Sequence, residues 1–134
     1  MTSSRKKTTT QKTRKENTEK QWLFFYTLLQ TRSKESEISN TPLYGELNST
    51  WFHHILPKSK YPELRFCPEN IIIVTFDEHT EIESGKHFDE VEKRKQQIVE
   101  NYNDLVESTK TYLTEFLNPI YEHAKHHTDF FKRN

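Results

Sequence analysis

Four β-branched residues in succession, Ile71-Ile72-Ile73-Val74, restrict the folds open to this chain more than any other feature. β-Branched side chains favour extended backbone, and a run without polar interruption predicts a strand that is covered on both faces. The next four residues, Thr75-Phe76-Asp77-Glu78, have the form of a capping box, which predicts that a helix starts there. That helix carries His79 and Glu83 and is expected to end or kink at Gly85.

The segments around this strand and helix predict an α+β fold. A β-prone segment from Ser49 to Ile55 is ended by Pro57, and further prolines predict an irregular connection to the second strand. Apolar residues at helical spacing predict an amphipathic helix over residues 19–32. Two more helices are expected towards the C-terminus, one after Phe88 and one from Lys110 to about His126 that Pro119 interrupts.

Length and charge distribution predict one domain with a basic arm. A chain of 134 residues is long enough for a single modest core. Its first 20 residues carry seven lysines and arginines against two glutamates, although the whole chain is formally neutral. We therefore expect residues 1–18 to be a disordered basic arm able to hold a polyanion, and residues 19–134 to form the domain. A motif core over 48–84 would be followed by a helical extension over 86–130.

The cellular compartment is predicted from the cysteine and apolar content. A single cysteine, Cys67, excludes an intramolecular disulfide and a multi-cysteine zinc ribbon, and it fits a reducing compartment. The apolar runs beginning at Trp22 and Ile71 are too short to cross a bilayer. A charged leading segment also argues against a signal peptide. We expect a cytoplasmic protein without a membrane partner.

The residues best suited to chemistry are two adjacent histidines and a helical pair. Neighbouring side chains of a strand point to opposite faces, so His53 and His54 can divide the work as metal ligand and general base. His79 and Glu83 lie four residues apart on one helical face, the spacing that a shared metal ion needs. Two imidazole nitrogens and one carboxylate suit Zn²⁺, Mn²⁺, Ni²⁺ or, less well, Mg²⁺.

Phosphodiester hydrolysis requires the groups that this arrangement offers. A divalent cation stabilises the charge that develops on the scissile phosphate and on its leaving oxygen. A neutral imidazole can accept a proton from the attacking water, and His54 is the candidate for that step. Lys58, Lys60 and Arg65 form a basic loop nearby. These charges fit phosphate contacts, and they fit a solvated loop equally well.

Taken together, His53-His54-Ile55-Leu56-Pro57, Asn70-Ile71-Ile72 and His79 with Glu83 resemble the motif of the HNH endonucleases. The resemblance covers Ser36 to about Lys95 and is nearest to bacteriophage HNH proteins. It implies a ββα-metal finger with flanking helices, in which His53, His79 and Glu83 bind one divalent metal ion and His54 is the general base. Asn70, grouped with His54 at the catalytic centre, would brace the loop between the strands.

The resemblance also implies DNA as the partner. Because of their charge, Lys58, Lys60 and Arg65 are the expected DNA-binding residues. Mg²⁺ or Mn²⁺ would be the metal in use, and Zn²⁺ or Ni²⁺ would also bind. Many members carry a second histidine where this chain has Glu83, and a Cys-x-x-Cys zinc knuckle where it has Ser36 and Ser39. A structural zinc is therefore not expected. Double-strand cleavage would need a homodimer or two successive nicks.

Two other functions are compatible with parts of this pattern. The acidic body, the glutamate at a ligand position and the missing knuckle fit a catalytically degenerate HNH-fold module that only binds nucleic acid. Two histidines and one carboxylate also occur in iron-dependent oxygenases. The many short strands typical of a β-sandwich oxygenase are absent from the predicted elements. The endonuclease is the favoured interpretation.

Overall fold

A small antiparallel sheet packs among helices, in a computed structural model that describes residues 9–127 and the side chains of residues 11–126. The fold is mixed and mostly helical. The helices are α1 (Thr9–Thr31), α2 (Phe76–Glu83), α3 (Asp89–Glu100), α4 (Tyr102–Tyr112) and α5 (Asn118–His127), and the strands are β1 (Phe52–His54) and β2 (Ile71–Ile73).

The two strands pair with His53 opposite Ile72 and His54 opposite Ile71. Both predicted strands are present, and both are shorter than expected. β1 starts late because the Asn48 side chain accepts a hydrogen bond from the Thr50 backbone N–H and begins a 3₁₀ turn. The long connection between the strands is irregular, as the prolines predict, and it contains two further 3₁₀ turns at Pro62–Leu64 and Pro68–Asn70.

The prediction that the second strand is covered on both faces is confirmed. Ile71 and Ile73 belong to one buried cluster, while Ile72 and Val74 belong to a second. All four side chains are fully buried. Each such burial stabilises the fold by roughly 1.5–3 kcal/mol, so this short strand joins the two halves of the core. The first half includes residues of α1 and α5, and the second includes residues of α3 and of the connection between the strands.

Helix α1 begins at Thr9, ten residues before the expected start, so the prediction of disorder is wrong for residues 9–18. Residues 1–8 lie outside the described part of the chain. The buried residues between Leu23 and Leu28 anchor the helix, and each further residue then adds a backbone hydrogen bond without a new nucleus. Opposite charges four residues apart, such as Lys15 and Glu19, favour this exposed extension.

The start and the end of α2 agree with the sequence signals. Thr75 and Glu78 form a reciprocal capping box, as predicted. At the other end Gly85 has a φ of +103°, a left-handed conformation that glycine adopts without steric cost. The N–H groups of Gly85 and Lys86 donate to the carbonyls of Ile82 and Glu81, which is the Schellman arrangement. The eight-residue helix is thus fixed at both ends.

The C-terminal helices are divided differently from the expectation. The break lies at Asn101, and the helix that follows runs past Lys110 into a π segment, Leu113–Leu117, and then into α5. The Asn118 N–H donates to the Leu113 carbonyl, one residue further back than in an α-helix. This wider turn accommodates Pro119, which has no N–H and would otherwise clash with the preceding turn.

Helix α5 packs against α1 and thereby joins the two ends of the described chain. The Tyr121 hydroxyl donates a 2.7 Å hydrogen bond to the Glu19 carboxylate, across 102 positions of sequence. No helix within residues 9–127 has both the length and the apolar composition needed to cross a membrane. Residues 128–130 of the predicted helical extension lie outside the described range.

Candidate active site

A cleft of about 590 Å³ lies between α1, the end of β1 and α2, and it collects most of the predicted site residues. Five of the eight line it, namely His53, His54, Lys58, His79 and Glu83. Between α1 and β1 the cleft is lined by Phe25 and Phe52, whose parallel rings have centroids 4.3 Å apart. The cleft is thus one space bounded by a helix, a strand end and a second helix.

The adjacent histidines face different neighbours within this cleft. The His53 ring meets the His79 ring edge-on, with 5.3 Å between centroids. The His54 ring lies 6.1 Å from the ring of Phe25 on α1. This divergence is the one expected for successive residues of a strand. Both rings line one cleft because the strand ends at His54 and α1 closes the side towards which that ring points.

A hydrogen bond to the backbone fixes the orientation of the His79 ring. Its Nδ1–H donates a 2.5 Å hydrogen bond to the backbone carbonyl of Thr50, so the lone pair of the neutral ring is on Nε2. Nε2 lies 3.5 Å from Oε2 of Glu83, one helical turn along α2. A histidine that donates one ring N–H to a backbone carbonyl and presents the other nitrogen outward is prepared for metal coordination.

His53 presents a neutral imidazole. Burial, followed by the charge of His79, lowers the pKa of His53 from 6.5 to about 4, although Glu83 acts in the opposite direction. At neutral pH the ring is therefore unprotonated, which is the form that binds a metal ion. The His53 and His79 rings together offer nitrogen ligands from two different elements.

The residues fit a divalent metal in chemistry, while the described side chains are not gathered around one. Within residues 11–126 no three His, Cys, Asp or Glu side chains lie close enough together to hold an ion as they stand. Two imidazoles and a carboxylate nevertheless form a donor set that Mn²⁺, Zn²⁺ and Ni²⁺ accept. The Glu83 side chain is 67% exposed, so a rotamer change could complete the set at small cost.

His54 is held by a backbone carbonyl of the connecting loop. Its Nε2–H donates a 2.9 Å hydrogen bond to the carbonyl of Arg65, which leaves the Nδ1 lone pair as the proton acceptor of the ring. Burial lowers the pKa of His54 from 6.5 to about 4 against the opposing effect of that hydrogen bond, and the charges of Lys58 and Arg65 lower it further. The ring is neutral at pH 7 and has a defined tautomer, as a general base requires.

Asn70, which was grouped with His54 at the catalytic centre, does not line the cleft. It is fully buried, and its Oδ1 accepts a 2.8 Å hydrogen bond from the Leu56 N–H. Its Nδ2 donates to the carbonyls of Leu56 and Leu64, at 3.0 and 3.2 Å. Asn70 therefore braces the loop between the strands, in line with the role that the resemblance implied, and it acts on the site only by position.

The three basic residues are separated by the structure. Lys58 lines the cleft, and Arg65 lies beside it with its guanidinium directed towards α1. Lys60 is exposed and lines no part of the cleft. Both Lys58 and Arg65 donate to the side chain of Gln21, a residue that sequence reasoning missed. Gln21 and Phe25 are one helical turn apart, and only the packing of α1 brings them to the site.

The chain matches no protein-family model, no curated protein and no solved structure.

Proposed function

We propose that this protein is a metal-dependent DNA endonuclease of the HNH type that hydrolyses phosphodiester bonds. The observation that carries the proposal is the cleft itself, in which a neutral His54 of fixed tautomer lies beside His53 and His79. This reaction needs both a general base and a metal site, and a cleft with only one of them would be incomplete. The finding that both kinds of group line one cleft supports phosphoryl chemistry.

The order of elements supports a ββα-metal finger. The histidine pair lies in β1, Asn70 directly precedes β2, and His79 lies in the helix that follows. The capping box at Thr75 and the glycine at Gly85 give that helix definite ends, so His79 and Glu83 keep their spacing. These are the places that the HNH motif assigns to its chemistry, and we assign them the same roles here.

In this reaction His53, His79 and Glu83 would hold a divalent cation, which when bound stabilises the charge on the scissile phosphate and the leaving oxygen. Mg²⁺ or Mn²⁺ is proposed as the working ion, and the imidazole ligands also favour Zn²⁺ or Ni²⁺. His54 accepts a proton from the attacking water at Nδ1 as the water oxygen bonds to phosphorus and the bond to the leaving oxygen breaks. The Arg65 carbonyl then stabilises the imidazolium through the Nε2–H hydrogen bond.

The low pKa of His54 in the free protein is compatible with this role. A phosphate anion in the cleft would favour the protonated ring and raise that pKa towards the range in which a base is most effective. Lys58 lines the same cleft, where it can contact the substrate backbone. DNA is thus both the substrate and a contributor to the electrostatics of the base.

The proposal is tested by nicking of supercoiled plasmid with Mn²⁺, Mg²⁺, Ni²⁺ or Zn²⁺. We expect His54→Ala to reduce the rate about 10²–10⁴-fold, the usual contribution of a general base. His87→Ala is the matched control, because His87 is exposed and outside the cleft. Equal rates for wild type and His54→Ala, or no nicking with any of the four metals, would overturn the assignment.

A catalytically degenerate HNH-fold module that binds nucleic acid is the second candidate. One observation favours it, namely that no three ligating side chains within residues 11–126 are gathered in advance. Such a protein would bind DNA equally well with and without chelator and would not nick it. The same plasmid assay, combined with a binding measurement in EDTA, separates the two functions. Sedimentation with and without DNA tests whether a second copy takes part.

A further inference from the structure

Two cations at the edge of the cleft share one neutral acceptor. Lys58 Nζ lies 3.2 Å and Arg65 Nε lies 3.0 Å from the same oxygen, Oε1 of Gln21 on α1. Arg65 Nη2 reaches only a backbone carbonyl, that of Asn17, at 3.5 Å. Within the described range, neither cation forms an ion pair with a carboxylate.

The other clustered arginines of the fold are satisfied differently. Arg32 and Arg94 both pair with Glu37, at 3.2 and 2.6 Å, and Arg94 also pairs with Glu90 at 2.8 Å. Those carboxylates neutralise the arginines, so an incoming anion would gain little there. An amide oxygen carries only a partial charge and cannot neutralise two cations. The edge of the cleft therefore retains a positive charge, whereas the charges of Arg32 and Arg94 are neutralised.

Burial makes the charged forms of Lys58 and Arg65 less favourable than they would be in water. Burial, and after it the charge of Arg65, lowers the pKa of Lys58, and burial lowers the pKa of Arg65. An anion placed between the two would offset both effects. A phosphate oxygen is suited to this place because it can accept from lysine and arginine together, and Arg65 can offer more than one N–H.

We propose that Gln21, Lys58 and Arg65 form a second phosphate subsite, in which a phosphate of the DNA backbone replaces Gln21 Oε1 as the shared acceptor. The neutral amide oxygen can be displaced by the phosphate, whereas a carboxylate at position 21 would neutralise the cations and compete with it. Lys58 lines the cleft together with His54, and the carbonyl of Arg65 holds the His54 ring. The subsite therefore fixes the strand beside the general base and sets which phosphate reacts.

Only the choice of DNA as the polyanion rests on the proposed endonuclease function. The subsite itself makes a distinctive prediction, because two substitutions at one residue have opposite consequences. Gln21→Glu supplies a permanent carboxylate that competes with phosphate for both cations. Gln21→Ala removes the internal acceptor and leaves both cations available. Gln30→Glu is the matched control, an exposed glutamine on the opposite face of α1 with the same change in charge.

The experiment measures binding of a short fluorescent DNA duplex in EDTA over a range of salt concentrations. We expect Gln21→Glu to weaken binding roughly tenfold and to reduce the slope of log K against log salt by about one to two. Gln21→Ala should bind at least as tightly as wild type, and Gln30→Glu should match wild type. Lys58→Gln, a change at an exposed side chain that should leave the fold intact, should reduce the slope by about one.

Equal weakening by Gln21→Glu and Gln30→Glu would show a general charge effect and overturn the subsite. An unchanged salt slope for Lys58→Gln, or no DNA binding by the wild-type protein, would also overturn it. The outcome is independent of the nicking assay. Nicking that depends on His54, without any effect at Gln21, would leave the endonuclease standing and remove the subsite. The expected binding pattern without nicking would remove the endonuclease and leave the subsite.

Discussion

His54 Nε2 lies 2.9 Å from the backbone oxygen of Arg65, so the orientation of the proposed base depends on a loop residue eleven positions away. That loop is held by short backbone turns and by Asn70, whose side chain donates to the carbonyl of Leu64 next to Arg65. The buried Asn70 side chain thus helps to position the Arg65 carbonyl, and that carbonyl sets the tautomer of His54.

Asn70→Ala should destabilise the protein and disorganise the site together. The substitution leaves the buried N–H and carbonyl of Leu56 without partners and removes one of the two hydrogen bonds to the Leu64 carbonyl, at an expected cost of roughly 2–4 kcal/mol in unfolding free energy. Asn70→Asp should be as severe, because its second oxygen would face two carbonyls. Urea denaturation measures the effect. Asn103→Ala, at an exposed position of α4, should cost less than about 0.5 kcal/mol. A comparable small effect at Asn70 would contradict the bracing role.

Stability should decrease as the pH falls through the titration range of the two cleft histidines. Their folded pKa of about 4 lies below the usual 6.5, so the unfolded chain binds more protons between these values. Stability is then retained above 6.5 and lost as the pH falls towards 4. Each histidine could contribute at most about 3 kcal/mol, which solvent screening reduces to roughly 1–2 kcal/mol.

The measurement is the unfolding free energy as a function of pH, for wild type and for the double variant His53→Gln, His54→Gln. The double variant should have a flatter profile over this range. His87→Gln serves as control, since the His87 side chain is 77% exposed and should leave the profile unchanged. A double variant with the wild-type slope would assign the pH dependence to other groups.

Glu83→Gln should weaken metal binding while leaving the fold unchanged. A neutral amide is a poorer ligand than a carboxylate, and we expect at least about tenfold lower affinity for Mn²⁺. The readout is the rise in Tm with added Mn²⁺, which follows the ratio of metal concentration to Kd. Glu81→Gln on the same helix is the matched control, because Glu81 pairs with Lys86 and does not line the cleft. Identical Tm shifts for the two variants would exclude Glu83 as a ligand.

Ser36→Ala should destabilise α2 from a distance. The Ser36 hydroxyl donates a 2.6 Å hydrogen bond to Glu78 and accepts from the N–H groups of Ile38 and Ser39. Burial alone would raise the pKa of Glu78, but the hydrogen bonds, with Ser36 first among them, outweigh it and hold that pKa below 4.5. Loss of a buried bond to a charged group costs about 1.5–3 kcal/mol. Ser33→Ala, at an exposed position, is the control.

This serine also bears on the structural zinc that the proposed HNH resemblance led us not to expect. The hydrogen bonds of Ser36 close a tight turn and attach it to α2. If this network substitutes for the metal, thermal unfolding of wild type should be the same with and without a zinc chelator. A marked fall in Tm with chelator alone would point to a structural metal.

The elements predicted best from sequence are those specified by neighbouring residues. The β-branched run defines β2, and the capping box and Gly85 define α2, because their backbone preferences act within a few residues. The helical site pair could be predicted for the same reason. The start of α1 could not, since its polar first half is helical only as a continuation of a packed core.

The missed part of the cleft depends on contacts that are distant in sequence. Gln21 meets Arg65 across 44 positions, and no periodicity in either segment encodes that meeting. The separation of Lys60 from Lys58 is similar, because it is set by the turn after Pro57, where the Lys60 N–H donates to the Pro57 carbonyl. Tertiary packing selects which basic residues face the site, and the charge pattern alone does not.

The contact between Glu19 and Tyr121 limits how this site could be transferred to another protein. A fragment of residues 48–84 would contain His53, His54, His79 and Glu83, yet its strands have only three residues each and would lose the wall formed by α1. A hairpin that short does not persist alone in water. The site therefore depends on almost the entire described chain. Transferring it to another protein would require transferring α1 and α5 as well.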